Sequence, residues 1–394
     1  MRSLIHSNRL RSLAAAATVV VCTLAGCSGD DEAAPGPTTP GEPTPADLAP
    51  AADAPVDPAV EQFLETTLPA GVSGTVLVAH HDGIVHCSGF GLADQEAEIP
   101  ATCDTAYDIQ SITKQFTAAA IVKLEMMGRL RVTDPISRYV GPVPTDKRGI
   151  TVHQLLTHTS GLREVIGGDY EPLTRQEMLD EALSSRLEAP PGSRYSYSNV
   201  GYSILAAIVE EASGMGYEEF LAKNLFEPAG MTETGYVVPE WSPQRVAVEY
   251  NSRGRPMGRP FDHPWADDGP YWNLRGNGGI LTTARDMFRW HLALRGDDVL
   301  SRQAKEKLFT PYVPEGPNAT TSYGYGWVVA RSDRYGKVVW HDGGNGWSLS
   351  MVARLLDEDV LVFWTSNHAY QRGQWNLEDN MLNLTLGLAG QAID

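Results

Sequence analysis

Apolar and polar residues alternate over residues 74–80 and again over 84–88, on either side of Asp82-Gly83. That is the period of two strands joined by a tight hairpin turn. A helical spacing precedes them at residues 59–68, and the densest apolar run follows. Between residues 116 and 127 only Thr117, Lys123 and Glu125 are polar, which predicts a helix buried on nearly every face. Its start falls near Gln110 and its end at Gly128, a residue suited to a C-terminal cap.

From residue 151 to about 295 the pattern is mostly helical, clearest at 151–156, 175–185, 201–213, 217–225 and 283–294. The last of these opens on Thr283 and Asp286 as a capping pair. β-rich runs return at 326–330, 337–341, 347–355 and 360–365, and residues 377–388 predict a closing helix. Early strands, a helical middle and late strands predict an α+β fold, an α/β sandwich. One antiparallel sheet is expected from the N- and C-terminal strands, flanked by helices, with a helical region of roughly residues 130–295 inserted. A cleft between the layers is the expected site.

The front of the chain changes this picture. Arg2, Arg9 and Arg11 precede an apolar run at residues 13–24 that is too short for an ordinary transmembrane helix, the form of a secretory signal. Leu24-Ala25-Gly26-Cys27 resembles a bacterial lipobox. The resemblance implies cleavage before Cys27 and lipidation of that cysteine, giving a membrane-anchored lipoprotein of the cell envelope that faces away from the cytoplasm. An ordinary secretory signal followed by a chance cysteine is the alternative. Residues 28–57 carry seven prolines among Ala, Thr, Gly and Asp, a composition that cannot bury a core. The expected organisation is therefore a signal at 1–26, a linker at 27–57 and one catalytic-sized domain at 58–394.

Charge and cysteine content narrow the partners. With 49 acidic against 31 basic residues the chain carries a formal charge of −18, so nucleic acid is not an expected partner. Cys87 and Cys103 would lie in an oxidising compartment, where either a disulfide between them or two buried thiols is open. The sequence has no His-Glu-x-x-His and no Cys-x-x-Cys, and His80 and His81 should point to opposite faces of a strand. Neither a metal nor another cofactor is expected.

Candidate chemistry centres on the start of the buried helix. Residues three apart on a helix are neighbours, so Lys114 should lie one turn above Ser111. A serine hydroxyl attacks a carbonyl only if a base takes its proton, and a desolvated lysine can be that base. Two motifs occur twice each: Tyr197-Ser198-Asn199 with Tyr271-Trp272-Asn273, and His341-Asp342-Gly343 with His81-Asp82-Gly83. The second histidine motif is explained by the hairpin turn, whereas His341-Asp342-Gly343-Gly344 ends a strand with more glycine than a turn needs.

Six stretches in order resemble the β-lactamase-related serine hydrolases, the group of class C β-lactamases, penicillin-binding D-alanyl-D-alanine carboxypeptidases and similar esterases. They begin at Ser111-Ile-Thr-Lys114, Leu155-Leu-Thr-His158-Thr-Ser160-Gly, Pro191-Gly-Ser-Arg-Tyr-Ser-Tyr197-Ser-Asn199, Phe226-Glu-Pro-Ala-Gly, Gly278-Gly-Ile-Leu and His341-Asp-Gly-Gly344. The resemblance selects Tyr197 over Tyr271. It implies that Ser111 is acylated, that Lys114 and Tyr197 as phenolate share its proton, and that Asn199 holds Lys114 and the substrate. Asn199 is also expected to cap its helix. His341, Gly343 and Gly344 would bind substrate, with the Ser111 and Gly344 N–H groups forming an oxyanion hole. Gly344 would be glycine partly to let substrate approach the backbone. His158 and Ser160 read as scaffold. Where β-lactamases of the group carry Lys-Thr-Gly, this chain has His341-Asp342-Gly343, which adds an acid where a substrate carboxylate would lie. An ester or D-amino-acid peptide is thus the expected substrate, with a β-lactamase or a non-turnover penicillin-binding sensor as alternatives.

Overall fold

The computed structural model describes residues 55–393; the signal segment, Cys27 and most of the linker lie outside the described residues. The main elements are α1 (Pro58–Thr67), β1 (Gly74–His80), β2 (Gly83–Phe90), α2 (Thr113–Met126), α3 (Val152–Leu156), α4 (Arg175–Ser184), α5 (Asn199–Ser213), α6 (Ala284–Arg295) and α7 (Arg302–Leu308). The strands β3 (Val313–Pro314), β4 (Ser322–Tyr323), β5 (Val328–Ser332), β6 (Gly336–Gly344), β7 (Leu349–Leu355) and β8 (Val360–Ser366) follow, and α8 (Leu377–Ile393) closes the chain. Local chemistry sets several starts. Asp57 accepts the Ala59 and Val60 N–H groups ahead of α1, and Thr283 accepts the Asp286 N–H ahead of α6.

Eight strands form one antiparallel sheet in the order β3-β4-β5-β6-β7-β8-β1-β2, so the two ends of the chain meet where β8 pairs with β1. Val76 faces Trp364 and Val78 faces Val362 in that pair. Alternation along the central strands serves two cores. Val76, Val78, Val360, Val362 and Trp364 pack with α1 and α8, while Leu77, Ala79, Leu361 and Phe363 pack with α2, α5 and α6 on the opposite face. Cys87 in β2 is bonded to Cys103, which ties the hairpin to the segment leading towards Ser111.

Some expectations are corrected. His81 adopts φ 57° just past β1, which breaks strand alternation and lets the His80 and His81 rings stack at 4.1 Å instead of pointing apart. The run at 217–225 divides into a short α-helix, Tyr217–Leu221, and a π-turn, Ala222–Phe226. The strand expected from residue 326 begins at Val328. Gly326 has φ 74°, and a Cβ there would lie 2.7 Å from the Lys114 carbonyl oxygen, so this glycine brings the sheet onto the backbone of α2.

Candidate active site

The chain reaches the candidate nucleophile through a small sheet in which Tyr107–Asp108 pairs with Leu281–Thr282. Asp108 Oδ1 accepts the Gln110 N–H at 2.7 Å, Gln110 turns the backbone at φ 52°, and a 3₁₀ turn, Gln110–Ile112, leads into α2. Ser111 is half-buried at the head of this turn, and Lys114, one turn on, is fully enclosed. Its Nζ lies 3.0 Å from Ser111 Oγ and 2.7 Å from the Asn277 carbonyl oxygen. Burial lowers the Lys114 pKa to about 7 against the opposing pull of Asp169, Asp342 and Glu164. A neutral amine beside a serine hydroxyl is thus well populated near neutral pH.

Tyr197 meets the same pair: Lys114 Nζ sits 4.9 Å from its ring centroid, and the Ser111 side chain is close enough to oppose the upward shift of its phenol. Burial pushes its phenol well above the usual range, which disfavours the phenolate expected from sequence. Asn199 departs further from expectation. The cap of α5 is Ser198, whose side chain accepts the Gly201 N–H at 3.0 Å. The Asn199 side-chain oxygen is buried without a hydrogen-bond partner, and the residue lines a small cavity together with Trp272 and Asn273. Lys114 is held by the Asn277 carbonyl instead, because the glycine-rich turn at residues 276–279 passes over it.

On the sheet side, His341 is buried in β6. Its Nδ1 lies 2.6 Å from the Asp342 carbonyl oxygen and its Nε2 2.9 Å from the Tyr323 hydroxyl. Burial lowers its pKa to about 4, so the ring is neutral. Nδ1 must donate to the carbonyl, and Nε2 accepts from the tyrosine. Asp342 points out to solvent and Gly343 inward. A Cβ on Gly343 would sit 2.5 Å from the Ile109 carbonyl oxygen and 2.9 Å from Ser111 N, so β6 presses on the nucleophile turn. A Cβ on Gly344 would meet only the Leu349 side chain at 2.8 Å and the Ser348 carbonyl oxygen at 3.4 Å. The close approach that demands glycine is therefore at Gly343, between two parts of the protein, and not at Gly344.

Sequence reasoning missed Asn277, Tyr323 and a buried acidic pair behind the turn. Gln110 Nε2 donates to Glu249 at 3.1 Å and to Ser348 at 2.9 Å, while Asn345 and Ser348 also bond Glu249. Burial pushes Asp108 well up and Glu249 up to about 7. Nothing local marks Glu249, which lies 139 positions from Gln110. A protonated Glu249 in the fold against an ionised one in the unfolded chain gives a signed expectation. Stability should be full below the ordinary glutamate pKa and fall as pH rises through about 7. Glu249→Gln keeps the bonded shape without the ionisation. Its melting temperature should gain on that of the native chain between pH 4.5 and 8; a constant difference would contradict the buried acid.

The Beta-lactamase family model matches residues 56–380. Penicillin-binding protein 4* of Bacillus subtilis (strain 168) is 32% identical over 311 residues, covering 75% of this chain and 68% of that protein. The D-alanyl-D-alanine-carboxypeptidase/endopeptidase AmpH of Escherichia coli (strain K12) is 26% identical over 82% of this chain and 86% of its own. The crystal structure of a penicillin binding protein from Bacillus halodurans superposes with a TM-score of 0.70 at 26% identity, covering 84% of this chain and all of that one. The fold is accordingly that of β-lactamases and penicillin-binding proteins, and the chain belongs to the Beta-lactamase family.

Proposed function

We propose that this chain is an extracytoplasmic serine hydrolase that forms an acyl-enzyme on Ser111 and acts on an ester or a D-amino-acid peptide. The observation that carries the reading is the enclosed Lys114 amine 3.0 Å from the Ser111 hydroxyl, with a pKa near 7. In the forward step the Ser111 oxygen bonds to the substrate carbonyl carbon as its proton passes to Lys114. Collapse of the tetrahedral intermediate breaks the bond to the leaving group, which takes that proton. Water activated by the same amine then releases the acyl group. Tyr197, kept as a phenol by burial, relays or donates a proton at Ser111 and is not the resting base. The N–H groups of Ser111 and Gly344 would hold the developing oxyanion.

The choice of substrate rests on charge. Asp342, Asp169 and Glu164 all act on Lys114, which makes the site a poor host for a substrate carboxylate, whether that of a β-lactam or the free C-terminus of a D-alanyl-D-alanine peptide, and a better one for esters and for D-amino-acid peptides whose leaving group is uncharged. The names of relatives, a penicillin-binding protein and a D-alanyl-D-alanine-carboxypeptidase/endopeptidase, agree with cell-wall chemistry. Anchoring to the envelope membrane through lipidated Cys27 completes the proposal.

A panel of nitrophenyl esters, D-alanyl peptides and nitrocefin, with peptide mapping of the covalent adduct, tests it. Faster turnover of the ester or D-peptide, and an adduct on the Ser111 peptide, are expected. Efficient hydrolysis of nitrocefin with neglect of the others would make the chain a β-lactamase. Slow labelling without turnover would make it a sensor, and an adduct elsewhere would remove Ser111 from the mechanism.

A further inference from the structure

His158 stands out among the buried polar groups that the chemistry above does not use. It lies in the turn after α3 at φ 54°, wholly enclosed, with four tyrosine rings around it: Tyr197 at 4.3 Å, Tyr323 at 4.6 Å, Tyr202 at 5.0 Å and Tyr195 at 5.8 Å between centroids. Its two acceptors bracket one residue. The His158 carbonyl oxygen accepts the Ser196 N–H at 2.8 Å, and its Nδ1 accepts the Ser198 N–H at 3.0 Å. Tyr197 is thus fixed from both sides by the same histidine. The left-handed backbone at His158 is what turns its carbonyl and its ring towards one segment.

The neighbouring residues of the same turn are explained by folding alone. Gly161 has φ 75°, and a Cβ there would clash with the Ala189 carbonyl oxygen; Ser160 Oγ accepts the Leu162 N–H at 3.3 Å. His158 is different. Because Nδ1 accepts, the proton of the neutral ring is on Nε2, which has no hydrogen-bond partner. A buried histidine with one unpaired nitrogen costs free energy that an apolar side chain would spare, so its other nitrogen has a use that an apolar side chain cannot supply. The ring also links the two halves of the site, since Tyr323, which packs against it, donates to His341.

We propose that His158 is a positioning residue for the hydrolytic reaction: its Nδ1 bond to the Ser198 N–H and its ring against Tyr197 hold Tyr197 beside the Ser111–Lys114 pair. The inference rests on the proposed role of Ser111 as nucleophile. It gives His158 a role beyond the scaffold expected from sequence.

The test is a double-mutant cycle between His158→Phe and Tyr197→Phe, read as the maximal rate at which a fluorophosphonate probe labels Ser111 in the full chain. His158→Phe keeps a ring and removes the acceptor. It should slow labelling by about tenfold or more, with the concentration giving half-maximal rate changed less than about twofold. His158→Asn places an oxygen near the position of Nδ1, tolerates the left-handed backbone, and should recover most of the loss. In the Tyr197→Phe background, His158→Phe should add less than about twofold, because the hydroxyl it positions is gone. Multiplying effects, or His158→Phe labelling at the native rate with only a lowered melting temperature, would overturn the proposal and leave a structural role. If His158→Phe does not fold, His158→Gly, which suits φ 54°, runs the same cycle. Failure of the native chain to label at Ser111 is a separate result that would overturn the nucleophile itself.

Discussion

Replacing Lys114 by arginine should slow acylation of Ser111 by about 100- to 10,000-fold at neutral pH, the range over which a positioned base contributes. The guanidinium stays protonated at every accessible pH, so it can neither accept the serine proton nor fit the enclosed space where Nζ lies between Ser111 Oγ and the Asn277 carbonyl. The pH profile carries the sharper signature. Burial sets the Lys114 pKa at about 7, and only the neutral amine takes a proton, so the native acylation rate should rise with pH through about 7 and level off above it. Below that midpoint the rate should fall about tenfold per pH unit. Asp169 opposes the shift, and Asp169→Asn should move the midpoint to lower pH. Labelling rates from pH 5 to 9 at fixed ionic strength measure this, and a flat native profile would remove Lys114 as the base.

How far the sequence discloses this site differs between its parts, for physical reasons. The sheet was legible because β1, β7 and β8 are apolar on alternate faces and lie between turn residues, and Ser111 with Lys114 was legible because i and i+3 on a helix must meet. Asn199 was misjudged. Motif spacing fixes where a residue lies along α5 but not which neighbours the folded helix gives it, and the cap fell to Ser198, which left the Asn199 amide oxygen buried without a partner. The partner of Lys114 proved to be a backbone carbonyl, and any residue type at position 277 carries one. Tyr197 was found but its ionisation was not, because a phenol's pKa depends on how completely the fold excludes water from it. Glu249 and Tyr323 carry no local pattern at all; they become visible only when long-range packing brings them to Gln110 and His341.

Gly343→Ala should cost about 100- to 1000-fold in the rate of acylation, comparable to losing an oxyanion-hole donor, while Gly344→Ala should cost much less. The distinction follows from what each added methyl meets. At Gly343 the contacts are the Ile109 carbonyl oxygen at 2.5 Å, Gln110 Cβ at 2.7 Å and Ser111 N at 2.9 Å, all within the nucleophile turn. None is the end of a flexible side chain, so the turn and β6 must separate. That turn is braced elsewhere, by Asp108 on the Gln110 N–H and by Glu249 and Ser348 on the Gln110 amide, so the displacement falls on Ser111 and on the edge of β6 beside it. The Ser111 and Gly344 N–H groups would then no longer converge on one oxygen. At Gly344 the nearest atom is Leu349 Cδ2 at 2.8 Å, a side-chain terminus that can rotate away. Stopped-flow acylation with a nitrophenyl ester, alongside melting temperatures, reads both variants. A Gly343→Ala protein that folds and acylates at the native rate would show that the contact between β6 and the turn does not set the oxyanion geometry. Equal losses at the two glycines would shift the cause from packing at the turn to the approach of substrate along the strand.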